Sequence, residues 1–192
     1  MTSNNPGVFG GRLLIGATGS AAVATLPVYI NALRAGFTGT ITVLMTHTAA
    51  TFLPPHTVGL FADRVVTGTR PDDWGRENQA TLAAGHDMMT VLPATANMLS
   101  AVATGAVPNL LTATIAAAGF PVVFFPVMTD GMWGKPAVRR NVEQLRLDGY
   151  HVVDPQQGQR YDVGLGEFVE GPMPPAPPRF VDVVREFMPG NG

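Results

Sequence analysis

Short apolar runs alternate with helical segments along most of this chain. The runs fall at 12–15, 41–45, 63–67, 88–92, 121–125 and 150–153. Segments of helical character lie between them, at 21–35, 52–61, 79–84, 97–104, 110–118 and 135–148, the second interrupted near its start by Pro54 and Pro55. Strands that lack a polar face and alternate with helices are typical of a parallel sheet covered on both faces. The pattern predicts a single α/β domain over 1–192.

The two ends of the chain have a different composition. Residues 1–11 are polar and Gly-rich, and we expect a flexible N-terminus there. Gly and Pro recur through 154–178, which predicts a long irregular loop; such loops are usually lids or binding segments, or are disordered. A closing helix and tail are predicted over 179–192.

Composition narrows the function classes. Only 14% of residues are charged and 46% are hydrophobic, which favours a surface partly covered by other subunits or by Gly/Pro-rich loops. The net charge of −2 and the absence of Lys/Arg clusters argue against nucleic-acid binding. Without cysteine there is no disulfide, thiolate metal site or cysteine nucleophile. No signal pattern or apolar stretch of membrane-spanning length is evident, so we expect a cytoplasmic protein without a membrane segment.

Hydroxyl-rich turns follow the first two predicted strands. The first strand runs into Gly16-Ala17-Thr18-Gly19-Ser20 and then into a helix, an arrangement that binds phosphate through glycine backbone and helix N–H groups. The glycine spacing is not that of the dinucleotide fingerprint, and a purely structural turn is the alternative. The second strand ends in Thr46, Thr48 and Thr51. Two such turns side by side favour a mononucleotide phosphate.

Two Pro-anchored motifs follow later strands. Pro93-Ala94-Thr95-Ala96-Asn97 follows the run 88–92, and the motif 126–133, Pro-Val-Met-Thr-Asp-Gly-Met-Trp, follows the run 121–125. Ligands of α/β proteins bind beyond the carboxyl ends of parallel strands. The two motifs are therefore predicted to form two walls of one pocket.

Together, these segments resemble the homo-oligomeric flavin-containing cysteine decarboxylases over residues 12 to about 153. The turn 16–20 is similar to their FMN phosphate turn, and the two later segments are similar to their Pro-Ala-Ser/Thr-Ala-Asn and Pro-x-Met-Asn-x-x-Met-Trp motifs. The resemblance implies a Rossmann-like (flavodoxin-like) parallel sheet with helices on both faces, and FMN as the cofactor. The implied cofactor-binding residues are Gly16, Thr18, Gly19, Ser20, Thr46, Thr48, Thr51, Phe52, Pro93, Ala94, Thr95, Ala96 and Asn97.

The family has two relevant branches. One decarboxylates phosphopantothenoylcysteine; the other oxidatively decarboxylates the C-terminal cysteine of a precursor peptide to an aminoenethiol, which later becomes an aminovinyl-cysteine ring. The unfused length and the Pro/Gly-rich tail resemble the peptide branch more closely. The resemblance then implies a peptide partner with a C-terminal Cys, a loop at 154–178 that covers it, and a trimer or a dodecamer of trimers with the site between subunits.

Two positions depart from the family pattern. Gln79 stands where the family usually has a histidine, and Thr129 stands where it usually has an asparagine that holds the substrate carboxylate. His86 is interpreted as a surface or strand-edge residue, whereas His56 is a candidate to reach the pocket. We predict Gln79, Asn97 and Thr129 as catalytic, and no metal site. The predicted substrate-binding residues are Asn78, Met128, Thr129, Met132 and Trp133.

Because of these departures, two alternatives stay open. One is phosphopantothenoylcysteine decarboxylation, and the other is a catalytically silent flavin-binding subunit.

Overall fold

The computed structural model describes residues 8–67, 77–162 and 165–190. Its main sheet has six parallel strands in the order β3-β2-β1-β4-β5-β6. They are β1 Arg12–Ala17, β2 Thr40–Met45, β3 Arg64–Val66, β4 Met88–Ala94, β5 Val122–Pro126 and β6 His151–Val152. This order confirms the predicted Rossmann-like (flavodoxin-like) sheet. The strand order reverses between β1 and β4, which is the topological switch point of the sheet.

The helices follow the predicted alternation. A short 3₁₀ helix, Ala21–Thr25, precedes the first α-helix. The α-helices are α1 Leu26–Arg34, α2 His47–Phe52, α3 Pro55–Val58, α4 Gln79–Ala84, α5 Ala96–Ala103, α6 Leu110–Ala117, α7 Asp130–Trp133, α8 Pro136–Leu147 and α9 Pro177–Phe187. None of those in the described ranges is both long and apolar enough to cross a membrane.

Hydrophobic clusters cover both faces of the sheet. Side chains alternate along a strand, so the neighbours Leu13 and Leu14 belong to different clusters. The first cluster packs β1 against α1 and α9, where Tyr29 and Phe180 meet edge to face at 5.3 Å between ring centroids. The second packs the sheet against α5, α6 and α8. Burial on both faces explains why the strands show no polar alternation.

The prediction of an irregular loop at 154–178 is wrong. The segment forms a hairpin of antiparallel strands, β7 Gln156–Asp162 and β8 Glu167–Met173, and Pro174 to Ala176 then lead into α9. Both strands of a two-stranded ribbon are edge strands, where proline is tolerated; Pro172 accordingly lies in β8 opposite Gln157. The Gly and Pro content therefore does not prevent strand formation here.

Other local predictions need smaller corrections. The predicted helix at 52–61 is replaced by α2 and α3, which Leu53 and Pro54 separate, and α7 was not predicted. The N-terminus is not flexible throughout 1–11: Phe9 is buried and packs edge-on against Phe37 at 5.1 Å. Residues 1–7, most of the predicted loop at 68–78, and 191–192 lie outside the described residues.

Candidate functional site

The predicted site residues gather at the carboxyl edge of the sheet, and Thr18 joins two of the motifs. Its buried hydroxyl donates to the Pro93 carbonyl oxygen at 2.6 Å and accepts from the Thr95 N–H at 3.2 Å. These two hydrogen bonds link the turn after β1 to the end of β4 and to the N-cap residue that follows it, across the switch point of the sheet. Since its proton is used within the chain, Thr18 positions these two segments, and its predicted contact with a cofactor stays a prediction.

Hydroxyl groups cap the helices that follow three adjacent strands. Ser20 accepts from the Ala22 N–H at 3.3 Å, Thr46 from the Ala49 N–H at 3.2 Å, and Thr95 from the Met98 N–H at 3.3 Å. An N-cap hydroxyl acts as an acceptor in these bonds and keeps its own proton for another partner. These three hydroxyls, at the ends of β1, β2 and β4, can all donate to an anion.

The two glycines of the first turn are explained by packing within the chain. A Cβ on Gly19 would lie 2.4 Å from Cγ2 and 2.5 Å from Cβ of Thr48. A Cβ on Gly16 would lie 2.6 Å from Cδ1 of Leu111. Gly19 thus lets the β1 turn lie against the first turn of α2, and Gly16 lets α6 approach β1. Neither glycine requires a ligand to explain it.

The Pro93–Asn97 motif is a strand end and a helix start. Pro93 and Ala94 are the last, buried residues of β4, and Thr95 is the N-cap of α5. Ala96 begins α5, and Asn97 is exposed in its first turn. The Ala94 carbonyl accepts from the Val127 N–H at 3.0 Å, which joins this motif to the segment after β5. The two Pro-anchored motifs are therefore adjacent, as predicted.

A crevice of about 550 Å³ lies beside the ends of β2 and β3 and is called the polar crevice after the Thr, His, Glu, Asn and Gln residues in its lining. It holds two of the predicted functional residues from α4, Asn78 and Gln79, and one from the β2 turn, Thr46. Its other lining includes Met45, His47, Thr67, Glu77 and 107–111. Asn78 caps α4 by accepting from the Ala80 and Thr81 N–H groups, both at 3.0 Å. Gln79 is exposed, so its amide is available to a ligand.

A second cavity, the proline crevice, has a volume of about 670 Å³ and lies between the 3₁₀ helix, the end of β5 and the end of β8. Its lining is largely apolar and consists of Ser20, Ala21, Ala22, Thr25, Val28, Tyr29, Val127, Met128, Thr129, Pro172, Met173, Pro174 and Pro177. The Tyr29 hydroxyl donates to the Pro175 carbonyl at 3.0 Å and so ties α1 to the chain that leaves the hairpin.

The predicted catalytic residues do not share one cavity of one chain. Gln79 lines the polar crevice, Thr129 lines the proline crevice, and Asn97 is in the lining of neither. Ser20 and Met128 accompany Thr129. Within the described residues, Gln79 and Thr129 thus line different cavities, and the pocket predicted between the two Pro-anchored motifs stays a prediction.

The remaining predicted residues lie around these cavities. Met132 is exposed on α7, while Trp133 packs against the second hydrophobic cluster with the Arg139 guanidinium 5.1 Å from its ring centroid. Phe52 is exposed at the end of α2, and the Thr51 hydroxyl donates to the Thr48 carbonyl at 2.7 Å. Their predicted contacts with substrate or cofactor stay predictions.

The structure separates the histidines. His86 is buried just before β4, at the amino edge of the sheet, and Nδ1 donates to the Leu82 carbonyl at 2.7 Å. Burial lowers the pKa of His86. Of the two positions that the sequence suggested, surface or strand edge, the structure agrees with the second, since His86 lies just before β4 and is buried. His56 lies on α3, outside the lining of both crevices. His47, which is not among the residues predicted for the site, lines the polar crevice beside Thr46.

Comparison with known proteins identifies the family of this chain. Residues 7–173 match the flavoprotein family. Mersacidin decarboxylase of Bacillus sp. (strain HIL-Y85/54728) is 36% identical over 155 residues, which are 81% of this chain and 79% of that protein.

Two solved structures extend the likeness to the fold. EpiD in complex with the substrate peptide DSYTC superposes with a TM-score of 0.82 at 25% identity, covering 92% of this chain and 98% of that one. The FMN-dependent cysteine decarboxylase SpaF superposes with a TM-score of 0.70 at 38% identity, covering 77% of this chain and 85% of that one. These findings confirm the resemblance predicted from the motifs, and the chain belongs to the flavoprotein family.

Proposed function

We propose that this chain is an FMN-dependent enzyme that oxidatively decarboxylates the C-terminal cysteine of a ribosomal precursor peptide. The product would be an aminoenethiol, the precursor of an aminovinyl-cysteine ring in a lantibiotic-like peptide. The observation that carries this proposal is the joining of the two motifs by Thr18 at the switch point, where three N-cap hydroxyls surround the carboxyl ends of β1, β2 and β4. Decarboxylation is the activity named for mersacidin decarboxylase, and cysteine decarboxylation is the activity named for SpaF.

The donor set at this edge fits the phosphate of FMN. Ser20, Thr46 and Thr95 each have an O–H that the helix cap does not use, and the helix starts add the positive ends of their dipoles. No Lys or Arg lines either crevice within the described ranges, so backbone and hydroxyl donors would hold the anion. The segment Ala94–Asn97 would lie beside the flavin ring.

When bound, FMN supplies a two-electron acceptor for the Cβ–S unit of the cysteine. The resulting thioaldehyde withdraws electrons from the bond to the carboxylate, so CO₂ leaves and an enethiolate remains. In this scheme Thr129 donates a hydroxyl to the carboxylate, and Asn97 donates its amide to the substrate or the cofactor. Gln79 orients the thiol, because an amide can donate to sulfur but does not titrate.

The proline crevice and the hairpin β7–β8 would hold the peptide upstream of its cysteine. Met128, Pro172 of β8 and Pro174 present an apolar wall, and the bond from Tyr29 to Pro175 fixes the chain after the hairpin. Ordering a peptide against a preformed wall costs less conformational entropy than ordering it against a mobile loop. We therefore assign the covering role proposed for 154–178 to this hairpin.

Subunit association would bring the two halves of the site together. Gln79 and Thr129 line different crevices of one chain, so a homo-oligomer in which neighbouring chains share a site is the arrangement that unites them. The proposed assembly is a trimer or a dodecamer of trimers. Light scattering coupled to gel filtration should show one of these; a monomer that turns over peptide would reject the shared site.

The direct test is to reconstitute the purified protein with FMN and incubate it with a peptide that ends in Cys. Mass spectrometry should show the loss of CO₂ together with two hydrogens. Turnover of phosphopantothenoylcysteine with none of any peptide would move the assignment to the other branch. Flavin binding with turnover of neither substrate would favour a silent subunit.

Cofactor placement is tested by Ser20→Asp. Asp is as good an N-cap as Ser, so the helix start is preserved, but its carboxylate repels a phosphate. We expect FMN affinity to fall at least about 100-fold, because removing one donor and adding one repulsive charge each cost more than about 1.4 kcal/mol. Thr104→Asp adds the same charge at the opposite, exposed end of α5 and should leave FMN affinity unchanged. Equal affinity in both variants would show that the phosphate lies elsewhere.

A further inference from the structure

We propose that His47 accepts the thiol proton of the substrate cysteine and returns it after CO₂ has left. This role rests on the proposed function, since it concerns the same decarboxylation. The supporting observation is the composition of the polar crevice, in which His47 and Gln79 line the same cavity.

The position of His47 suits a group that contacts a small ligand. It is the first residue of α2 and directly follows Thr46, one of the three N-cap hydroxyls proposed to hold the phosphate. His47 is exposed and lines the crevice together with two amide residues, Asn78 at the N-cap of α4 and Gln79 at its start. A volume of about 550 Å³ accommodates the terminal residue of a peptide next to part of a cofactor.

The other groups around the crevice are unsuited to proton transfer. Glu77 is the second titratable side chain of its described lining, and it is ion-paired with Arg64, whose Nε donates to Oε1 at 3.0 Å. The elements packed closely against α2 are the 3₁₀ helix and β2, and neither has a titratable residue. Imidazole is the side chain that ordinarily exchanges a proton near neutral pH. Within the described part of the crevice, this leaves His47 as the proton acceptor.

The protons and electrons of the proposed reaction balance. The thiol S–H bond breaks and its proton binds an imidazole nitrogen of His47. Bound FMN would accept the hydride from Cβ, which would leave a thioaldehyde. Loss of CO₂ converts the thioaldehyde to an enethiolate, and the imidazolium returns its proton to that sulfur. His47 is neutral again, and the two electrons remain on the flavin.

The first test compares turnover in His47→Ala with that of the wild type, both saturated with FMN and with a peptide that ends in Cys. We expect kcat to fall about 100-fold or more, the usual contribution of a general base. The acidic limb of the pH profile of kcat/KM should also disappear. Placing an imidazole elsewhere in the same crevice, in His47→Ala/Gln79→His, should raise kcat at least tenfold above that of His47→Ala. His56→Asn, on α3 and outside the crevice lining, is the matched control and should keep the wild-type rate.

A second readout does not depend on turnover. With the flavin reduced beforehand, ¹⁵N NMR should show the His47 ring resonances shifting when a Cys-terminated peptide binds, because the thiol then hydrogen-bonds to an imidazole nitrogen. The same peptide ending in Ala should leave them unshifted.

Two outcomes separate the proposals. Wild-type rate and pH profile in His47→Ala would overturn the role of His47 and leave the decarboxylase assignment intact. A wild-type protein that binds FMN but converts no cysteine substrate would overturn the decarboxylase assignment itself.

Discussion

Thr18→Val tests whether the buried Thr18 hydroxyl links the segments after β1 and β4 at the carboxyl edge of the sheet, where we propose that FMN binds. Valine keeps the shape of threonine but removes both hydrogen bonds of the hydroxyl, the donation to Pro93 at 2.6 Å and the acceptance from Thr95 at 3.2 Å. The Pro93 carbonyl and the Thr95 N–H are then left without this partner at a position where Thr18 itself is 2% exposed.

Each buried polar group that loses its partner costs about 1–3 kcal/mol. Thr95 is half-buried, so water partly compensates its N–H, and we expect a total loss of about 2–4 kcal/mol. For a chain of this size that corresponds to a decrease in Tm of about 5–15 °C. FMN affinity should fall about tenfold as well, one decade per about 1.4 kcal/mol, because the segments after β1 and β4 are no longer joined.

Urea denaturation followed by circular dichroism, at fixed protein concentration, measures the first effect, and flavin fluorescence titration measures the second. Thr90→Val is the matched control, since the Thr90 hydroxyl is fully buried in β4 and has no hydrogen-bond partner in the described structure. That variant should be neutral or stabilised by up to about 1 kcal/mol. Thr18→Ser, which retains the hydroxyl, should stay within about 1.5 kcal/mol of the wild type. Equal stabilities of Thr18→Val and Thr90→Val would refute the linking role.

Three further outcomes are expected. Gly19→Ala should cost about 1–3 kcal/mol and weaken FMN binding, because its Cβ would lie 2.4 Å from Thr48 Cγ2; denaturation and fluorescence titration measure both effects. Burial lowers the pKa of His86, so below the ordinary histidine pKa of about 6.5 the unfolded chain binds more protons than the folded one. The unfolding free energy should therefore decrease as the pH falls from about 7 to about 5, and less so in His86→Gln. Tyr29→Phe should increase amide exchange around Pro175 and raise the peptide Kd with little change in FMN affinity.

Controls for these outcomes come from the same chain. Gly119→Ala places its Cβ in open space and should leave stability and FMN affinity unchanged. A pH dependence in His86→Gln as steep as in the wild type would assign the acid sensitivity to other groups. An unchanged peptide Kd in Tyr29→Phe would show that the segment after the hairpin does not contact the peptide.

The sheet and its helices are predictable from sequence because the relevant signals are local. Runs such as 122–125 in β5 are β-branched or aromatic throughout, and helix ends are marked by residues such as Gly149, whose φ of 88° favours glycine. The hairpin β7–β8 was missed because its strands are stabilised by pairing with each other across a turn. Composition alone, dominated by Gly and Pro, indicated a loop.

The site is less predictable than the fold. The sequence identified the segments that meet at the carboxyl edge, since the ends of parallel strands must lie together. It did not show that the Thr18 proton is donated to Pro93, nor that Gly19 is required by Thr48, because both depend on contacts between distant segments. For the same reason, the division of Gln79 and Thr129 between two crevices, and the presence of His47 in one of them, emerge only from the structure.

A single anaerobic turnover shows most directly whether this chain couples flavin reduction to the loss of CO₂ from a cysteine peptide. The FMN-loaded protein is mixed with less than one equivalent of a Cys-terminated peptide, and flavin bleaching is followed together with the peptide mass and released CO₂. We expect one flavin reduced and one CO₂ released for each peptide converted. Conversion of the peptide while the flavin stays oxidised, or bleaching without loss of CO₂, would contradict this coupling.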